Sequence, residues 1–377
     1  MNPLLRWLGD GVLRVLRSVD LPLLAALCGL MAASLAVLSS AGGDSARLVL
    51  SQGVRFCVGI GVMWAISRIR PQTLRAASPY VYAASLLPLV AVLFVGTGRY
   101  GGHWLNLGVF YFQPSELFKL CLPMMLAWHL DRSVLPPRLG TMLAAAAIIA
   151  LPVGLILLQR DLGTAVLVAA SGVFGLYLGG LAWGWFAVAG AGAVIGYALA
   201  MFAPIQWFEP FLRPYQVGRI QAFRDPGTDP LGEGWNIIQS QIAIGSGGWF
   251  GKGWGESSQS QLNYLPEYTT DFAFSVLSEE FGWIGVAIVI GLYLFAIGRC
   301  LWIAAEARDG YSRIVAGTLG LSLFVYVAVN GGMISGLLPV VGVPMPLISY
   351  GGTSAVTLLA GMGLVMSAGA HGRRRGG

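Results

Sequence analysis

The chain has 377 residues, of which 56% are hydrophobic and only 11% are charged, and its formal net charge at pH 7 is +6. A soluble domain of this length needs far more charge, whereas a chain dissolved in lipid does not, so the composition excludes an ordinary globular protein. The basic excess does not indicate nucleic-acid binding, because the basic residues are divided unevenly between the two ends of the apolar segments, a pattern typical of membrane topology.

The N-terminal segment, residues 1–20, is predicted to be amphipathic. Leu8 and Val12 fall on one face of a helix and Arg14 falls on the other. Such a helix lies along the membrane surface, and its basic residues place it in the cytoplasm. The next run, 21–41, is long enough to span the bilayer and lacks a convincing cleavage site, so we expect no cleaved signal peptide.

Ten apolar runs, each near the length of about 20 residues that crosses a bilayer, predict the transmembrane helices. The runs are residues 21–41, 48–66, 79–97, 114–130, 139–158, 162–181, 183–203, 272–297, 313–336 and 351–370. The fold is therefore predicted to be all-α: a polytopic membrane protein with about ten transmembrane helices and one large extracytoplasmic loop, forming a single membrane domain over residues 1–377.

The arginines predict the orientation of these helices. Most lie on one side of the apolar runs, and the short loops opposite carry only Arg47, Arg99 and Arg160. Because basic residues favour the cytoplasmic side, both termini, including the basic tail 371–377, are predicted to be cytoplasmic. The same alternation makes residues 204–271 the large extracytoplasmic loop.

The segment that leads into the fourth run ends in a charged pair. Pro114 suits the first turn of a helix, Glu116 falls in that turn, where negative charge is favoured, and Lys119 follows on the same face. One interpretation is a structural ion pair, tolerated because each charge has its partner. The other is that the pair shapes a cavity at the outer membrane face, where it contacts a phosphate or supports Asp271, the acidic residue that ends the long loop.

Other charges near the same membrane face have two interpretations each. Asp161, between the fifth and sixth runs, either marks a helix turn at the membrane surface or lines the same cavity. Residues 204–271 are longer than a connection requires, which is typical of a working loop. Within this loop, Arg213, Arg219 and Lys252 either are solvated or form a cluster that binds a pyrophosphate, since Arg supplies a bidentate fork and Lys a point charge.

Asp271 ends the long loop at the mouth of the eighth run. An ionisable side chain at membrane level is costly, and such residues usually mark functional sites. Thr269 and Thr270 are N-cap candidates, so one interpretation is a first-turn carboxylate that stabilises the helix dipole. The other is a general base or cation ligand, because a carboxylate accepts a proton from a sugar hydroxyl held within hydrogen-bond reach.

Six segments carry a more specific similarity. They are WLNLGVFYFQPSELFK (Trp104–Lys119), QRDLGT (Gln159–Thr164), PYQVGRIQAFRDP (Pro214–Pro226), QSQIAIGSGGWFGKGW (Gln239–Trp254), LNYLPEYTTDFAFSVLSEEFG (Leu262–Gly282) and GLLPVVGVPMPLISYGGTS (Gly336–Ser354). Together they resemble the SEDS family of bacterial shape, elongation, division and sporulation proteins, in order and over nearly the whole chain. The fourth segment and the short tails are more similar to the elongation branch than to the division branch.

The resemblance implies a peptidoglycan glycosyltransferase that polymerises lipid II at the outer face of the bacterial cytoplasmic (inner) membrane during elongation and rod-shape maintenance. It implies undecaprenyl-pyrophosphate-linked glycan as the growing chain, membrane lipid as the surroundings, and a class B penicillin-binding protein transpeptidase and other elongation-complex proteins as partners, with no nucleic acid. Asp271 matches the family's essential acid, and Glu116, Lys119, Asp161 and Trp104 match residues around its catalytic cavity.

Two positions depart from the family pattern. The family usually has His where this chain has Thr269, so a proton relay through that position has no support here. The family's Pro is replaced by Arg160, which adds a cation beside Asp161. The sequence establishes no cofactor, although a divalent cation, Mg²⁺ or Mn²⁺, would suit the charge that develops on a leaving pyrophosphate.

The hypothesis is a glycosyl transfer in which Asp271 activates the sugar hydroxyl of incoming lipid II. Two alternatives from other classes fit many helices and membrane-level charges. A lipid II flippase would move the precursor without forming polymer, and a non-catalytic scaffold for the penicillin-binding protein would tolerate substitution of Asp271. The long loop of residues 204–271 favours the enzyme, because a flippase does not need so much structure on one side.

Overall fold

The computed structural model describes residues 18–40, 45–97, 102–106, 108, 111–133, 137–229, 232–262 and 264–373. Most of the predicted amphipathic segment 1–20 lies outside these residues, as do Arg99 and the end of the basic tail 371–377. The secondary structure of the described chain is mostly helical, with two short strands, which confirms the all-α class. Helices dominate because a bilayer offers no water to the backbone, so each segment satisfies its own N–H and C=O groups.

The helices and strands follow one another in this order. The first seven helices are α1 (Leu21–Ser40), α2 (Ser45–Ser67), α3 (Pro71–Val95), α4 (Ser115–Leu130), α5 (Leu139–Leu158), α6 (Leu162–Leu178) and α7 (Trp183–Phe202). The long loop contains α8 (Pro214–Arg224), α9 (Glu233–Ser246), α10 (Ser258–Gln261) and the 3₁₀ turns Ile205–Trp207 and Pro226–Thr228. The last helices are α11 (Ala273–Glu306), α12 (Gly310–Ile334) and α13 (Thr353–Arg373). Between α3 and α4, β1 (Leu105–Asn106) pairs antiparallel with β2 (Tyr111–Phe112), an element that the sequence did not predict.

Eight described helices are long and apolar enough to cross a bilayer: α1, α2, α3, α5, α7, α11, α12 and α13. Helix α6 is apolar but has 17 residues, and α4 has 16. The protein is therefore a multi-pass membrane protein, and the count of ten spans stays a prediction. Two helices extend far beyond their predicted runs, since α3 begins eight residues earlier, at Pro71 instead of 79, and α11 ends nine residues later, at Glu306 instead of 297.

Ion pairs stabilise these added turns. In the first turns of α3, Arg75 lies 2.7 Å from Asp131, and near the end of α11, Arg299 lies 2.8 Å from Asp20. Both arginines also keep the helix polar where it leaves the apolar run. Hydrophobicity alone therefore underestimated the length of the two helices.

The bundle is assembled around α12, which packs against α4, α6, α11 and α13. Helices α2 and α13 approach closely because glycines lie between them. A Cβ at Gly59 would lie 2.5 Å from Leu359, and a Cβ at Gly363 would lie 2.6 Å from the carbonyl oxygen of Met63. Small residues at such interfaces let helix backbones come together in lipid.

The proline-rich segment between α12 and α13 is non-helical and folds into the bundle. Val343, Met345 and Ile348 are buried there. Side chains of the surrounding helices supply the hydrogen bonds that this backbone lacks, for example Asn330 Nδ2 to Val343 O at 2.7 Å and Ser34 Oγ to Ile348 O at 2.7 Å. Irregular backbone is tolerated at membrane depth where protein covers it in this way.

Helix α11 is broken at Gly282, where φ is 63° and ψ is −163°. The 248–253 turn inserts into the break. The N–H groups of Lys252 and Gly253 donate to the carbonyls of Glu279 and Glu280 at 2.9 and 3.1 Å. In return, the backbone N–H groups on the other side of the break donate to carbonyls of the turn, Trp283 to Gly248 at 2.9 Å and Ile284 to Trp249 at 3.1 Å. The turn thus satisfies backbone groups that the break leaves open, and it fixes the long loop to α11.

Helix α7 lies at the edge of the bundle, and none of its residues is buried. Edge-on ring contacts of Tyr177 with Trp183 and Phe186 join its start to α6. Near its other end, Tyr197 Oη donates to Leu337 O at 3.1 Å, and Arg224 Nε of α8 donates to Ala200 O at 2.6 Å. Lipid therefore covers most of its surface.

Candidate active site

A cavity of about 880 Å³ opens where the long loop meets the ends of the membrane helices, and it overlaps a second cavity of about 860 Å³. We call their union the loop cavity. Its shared walls are His103, Trp104, Asp161, Arg219, Gly232, Asp271 and Gly342. Each volume falls within the range of roughly 300–1,000 Å³ that is usual for small-molecule sites. The cavity brings together Asp271, Asp161, Trp104 and Arg219, which the sequence predicted to act together.

Asp271 lies just before α11 rather than in its first turn. The helix begins at Ala273, and the capping position is Phe272, which provides no side-chain cap. The predicted N-cap role of the preceding threonines is therefore wrong. Thr270 Oγ1 donates instead to Glu267 Oε2 at 2.8 Å, which draws it away from the helix end.

Two neighbours determine how Asp271 faces the cavity. Asn330 Nδ2 donates to the Asp271 carbonyl oxygen at 2.9 Å, which fixes the backbone. Gly342, with φ of 69°, lies beside the carboxylate, since a Cβ there would stand 3.5 Å from Asp271 Oδ2. The Asp271 side chain is half-buried, so the carboxylate is close to the protein wall and still open to the cavity.

Asp161 both caps a helix and lines the loop cavity, so its two interpretations hold together. It is the N-cap of α6, where its Oδ1 accepts from the Thr164 N–H at 3.0 Å. Its Oδ2 accepts from Gln113 Nε2 at 2.9 Å. Both carboxylate oxygens thus have hydrogen-bond partners within the protein.

Glu116 and Lys119 form a buried ion pair one turn into α4. Lys119 Nζ lies 2.5 Å from Glu116 Oε1, and the two side chains are 15% and 6% exposed. The ammonium also lies 4.8 Å from the centre of the Tyr326 ring. The pair borders the loop cavity on one side and an apolar interior cavity on the other, so it is both structural and part of the site.

The predicted cationic cluster is not assembled. Arg219 lines the loop cavity, but Arg213, just before α8, is exposed and is not among the lining residues. Lys252 also lies outside the lining, because its ammonium is 2.5 Å from Glu279 Oε1 and 3.0 Å from Ser258 Oγ. Glu279 itself is fully buried and accepts from Ser257 Oγ at 2.6 Å. Lys252 thus belongs to the attachment of the loop to α11.

The sequence missed three residues that hold or contact the predicted site residues. Gln113 holds Asp161, Asn330 holds the Asp271 backbone, and Tyr326 lies against Lys119. Asn330 and Gln113 could have been noticed in the sequence, because a polar amide inside or at the edge of an apolar run needs a hydrogen-bond partner. His103, to which the sequence assigned no role, also lines the loop cavity. Tyr326 left no signal, because an aromatic residue in an apolar helix is ordinary.

Among the described residues, no group of three or more His, Cys, Asp or Glu side chains could hold a metal ion by itself. Mg²⁺ often binds one or two carboxylates together with substrate phosphates. The loop cavity fits a divalent cation in that way, since the carboxylates of Asp271 and Asp161 line it and a substrate pyrophosphate would supply further ligands.

Comparison with known proteins gives one consistent answer. The profile of the FtsW/RodA/SpoVE family, described as cell cycle proteins, matches residues 15–374. The peptidoglycan glycosyltransferase MrdB of Escherichia coli K12 is 45% identical over 354 residues, which cover 94% of each chain. The peptidoglycan glycosyltransferase RodA of Treponema pallidum is 32% identical over 401 residues, covering 87% of this chain and 91% of that protein.

Solved structures share the fold. One chain of a peptidoglycan synthase complex, studied for the structural coordination of polymerization and crosslinking, superposes with a TM-score of 0.80 at 31% identity, covering 94% of this chain and 98% of that one. The rod shape determining protein RodA of Thermus thermophilus superposes with a TM-score of 0.69 at 28% identity, covering 95% and 98%.

Proposed function

The chain belongs to the FtsW/RodA/SpoVE family of cell cycle proteins, and we propose that its loop cavity is where this family's chemistry, peptidoglycan glycosyl transfer, takes place. The protein is a peptidoglycan glycosyltransferase of the RodA type, in agreement with the predicted SEDS resemblance. A relative named as a peptidoglycan glycosyltransferase aligns with 94% of this chain, which favours the enzyme over the flippase and the scaffold.

The observation that carries the proposal is the position of Asp271 in a cavity at the end of an apolar bundle. In the proposed reaction, the carboxylate accepts the proton of the GlcNAc 4-hydroxyl of lipid II. The hydroxyl oxygen forms a bond to the anomeric carbon of the growing chain. The bond from that carbon to undecaprenyl pyrophosphate breaks, and the pyrophosphate leaves with the electron pair.

Neighbouring side chains have supporting roles in this proposal. Arg219 stabilises negative charge on the leaving group, since a fixed cation in a cavity favours the charge that develops in the transition state. Asp161, held by Gln113 and Thr164, and the Glu116–Lys119 pair fix the wall beside Trp104. A divalent cation held by Asp271 and the substrate would supply further charge stabilisation.

The membrane assists the reaction by holding both polyprenyl tails. We place the protein in the bacterial inner membrane, with both termini in the cytoplasm and the loop cavity on the other side. A class B penicillin-binding protein is the proposed partner. The resemblance to a chain of a synthase complex that couples polymerization to crosslinking supports such a partner.

Asp271→Asn tests the proposed base. Purified protein is incubated with labelled lipid II, with and without its cognate transpeptidase, and glycan chains are resolved on gels. The wild type should form polymer, and the variant should lose about 10²–10⁴-fold in rate, the usual contribution of a general base. Glu256→Gln, which neutralises an exposed loop carboxylate away from the cavity lining, is the matched control and should retain activity.

Three results would contradict the proposal in different ways. Normal polymer from Asp271→Asn would remove the general-base role. Movement of lipid II across liposomes without polymer would favour the flippase. The scaffold would be favoured if the wild type forms no polymer and every Asp271 variant supports the transpeptidase as well as the wild type does.

A further inference from the structure

Arg160 adopts a backbone conformation that is unusual for its residue type. Its φ is 63°, in the left-handed region that favours glycine. It follows the end of α5, where the Arg160 N–H donates to Leu157 O at 3.1 Å and the Asp161 N–H reaches Ile156 O at 3.4 Å. Glycine is the usual residue at this position after a helix, because a side chain there is strained.

Packing does not explain why an arginine occupies this position. Among the described residues, the other non-glycine residue with positive φ is Leu347, which is 3% exposed and is held by the core. Arg160 is exposed. The helix end requires a left-handed residue here, but it does not require an arginine, and strain kept in this way is often found at a functional site.

The location of Arg160 provides a second, independent observation. Arg160 lines the loop cavity together with Asp271 and Arg219. The adjacent carboxylate of Asp161 already accepts hydrogen bonds from Gln113 and from the Thr164 N–H. The guanidinium therefore adds a positive charge to the part of the cavity that Arg219 also lines.

The residues before Arg160 indicate which anion it meets. Leu157 and Leu158 end an apolar helix and are 43% and 59% exposed, so they face lipid. A polyprenyl tail that packs along these leucines brings its first polar group to the level of Arg160. In a lipid-linked sugar, that group is the pyrophosphate, whereas the carboxylates of the peptide lie farther from the membrane.

We propose that Arg160 binds the phosphoryl oxygens of the polyprenyl pyrophosphate in the loop cavity and so contributes to substrate affinity. The inference rests on the proposed function and adds a binding residue to it. An Arg guanidinium suits this role because its planar fork donates two parallel hydrogen bonds to phosphate oxygens.

Three substitutions separate binding from structure. Arg160→Gly removes the cation and also relieves the backbone strain, Arg160→Gln removes the cation alone, and Arg160→Lys keeps the charge without the fork. We expect the KM for lipid II to rise about tenfold in the Gly and Gln variants, with kcat nearly unchanged, as for the loss of one charge-assisted hydrogen bond. Arg160→Lys should lie between these variants and the wild type. Arg160→Gly should melt no lower than the wild type.

Arg213→Gln is the matched control. It removes the same charge from an exposed arginine of the long loop that is not among the cavity-lining residues, so its KM should not change. A short-chain polyprenyl pyrophosphate should compete with lipid II, and Arg160→Gln should weaken that competition by the same factor. The corresponding monophosphate should compete less well.

The outcomes distinguish this inference from the proposed function. If the wild type forms polymer and the KM of all three Arg160 variants is unchanged, the inference is wrong and the function stands. If amidating the peptide carboxylates of lipid II abolishes the difference between wild type and Arg160→Gln, Arg160 binds the peptide instead. If the wild type forms no polymer, the proposed function itself fails, whereas pyrophosphate competition for lipid II binding still tests Arg160.

Discussion

At the scale of single residues, the Glu116–Lys119 pair explains how two charges persist in an apolar helix. Neither side chain is more than 15% exposed, and their charged atoms lie 2.5 Å apart. Taking either charge out of water alone would cost several kcal/mol, and the partner offsets this cost. The nearby Tyr326 ring adds a favourable contact for the ammonium.

Glu116→Gln should therefore destabilise the protein by about 3–5 kcal/mol, because it leaves the Lys119 ammonium buried without its counter-charge. The midpoint of thermal unfolding in detergent measures the effect. Arg75→Gln is the control, since it breaks a pair whose side chains are 35% and 14% exposed, and it should cost less than about 1 kcal/mol. Equal losses in the two variants would mean that water reaches the Glu116–Lys119 pair.

The sequence predicted Asp271, Asp161, Glu116 and Lys119 because charges are rare in apolar runs and their positions were therefore conspicuous. It could not predict which loop cations reach them. Nothing in the sequence around Arg213, Arg219 and Lys252 shows which of them faces the cavity, and only the fold of the long loop separates them. Lys252 is held by Glu279, which lies 27 residues farther along the chain, and local sequence patterns do not predict such a pairing.

At the scale of elements, the break in α11 shows how the long loop is fixed to the bundle. The helix gives up its regular hydrogen bonds at Gly282, and the 248–253 turn replaces them from both sides of the break. The apolar run 272–297 gave no sign of this break, because a glycine within a membrane helix is common. The glycine-rich turn was conspicuous in the sequence, but its binding site on α11 was not.

Gly251 and Gly255 provide a matched pair of substitutions for this turn. Their φ values are 80° and 81°, so alanine brings a similar backbone strain of about 1–2 kcal/mol at both positions. At Gly251 a Cβ would also lie 2.0 Å from the carbonyl oxygen of Glu280, whereas at Gly255 no atom lies within 4 Å. Gly251→Ala should therefore cost about 1–3 kcal/mol more than Gly255→Ala. The difference between their thermal midpoints measures this extra cost, and equal midpoints would mean that the turn is not inserted in α11.

At the scale of the whole molecule, hydrophobicity predicted nearly every long helix, because spanning a bilayer imposes both length and composition. It gave too short a length for α3 and α11, whose polar ends are stabilised by ion pairs between distant residues. It also could not reveal that α7 stands at the edge of the bundle with no buried residue. A helix that faces lipid and a helix that faces protein have the same apolar sequence, so packing order depends on shape rather than on hydropathy.

The orientation of the bundle is the prediction that the catalytic proposal needs most, because lipid-linked precursors must reach Asp271 from the side where the wall is built. Single cysteines test it in a variant that lacks the exposed Cys28 and Cys57. Glu256→Cys, in the long loop, should react with a membrane-impermeant maleimide on intact cells. Arg308→Cys, in the exposed connection between α11 and α12, should react only after lysis. The basic residues that flank the helices predict this orientation. The reverse labelling pattern would place the loop cavity in the cytoplasm and exclude Asp271 from polymer synthesis at the outer face.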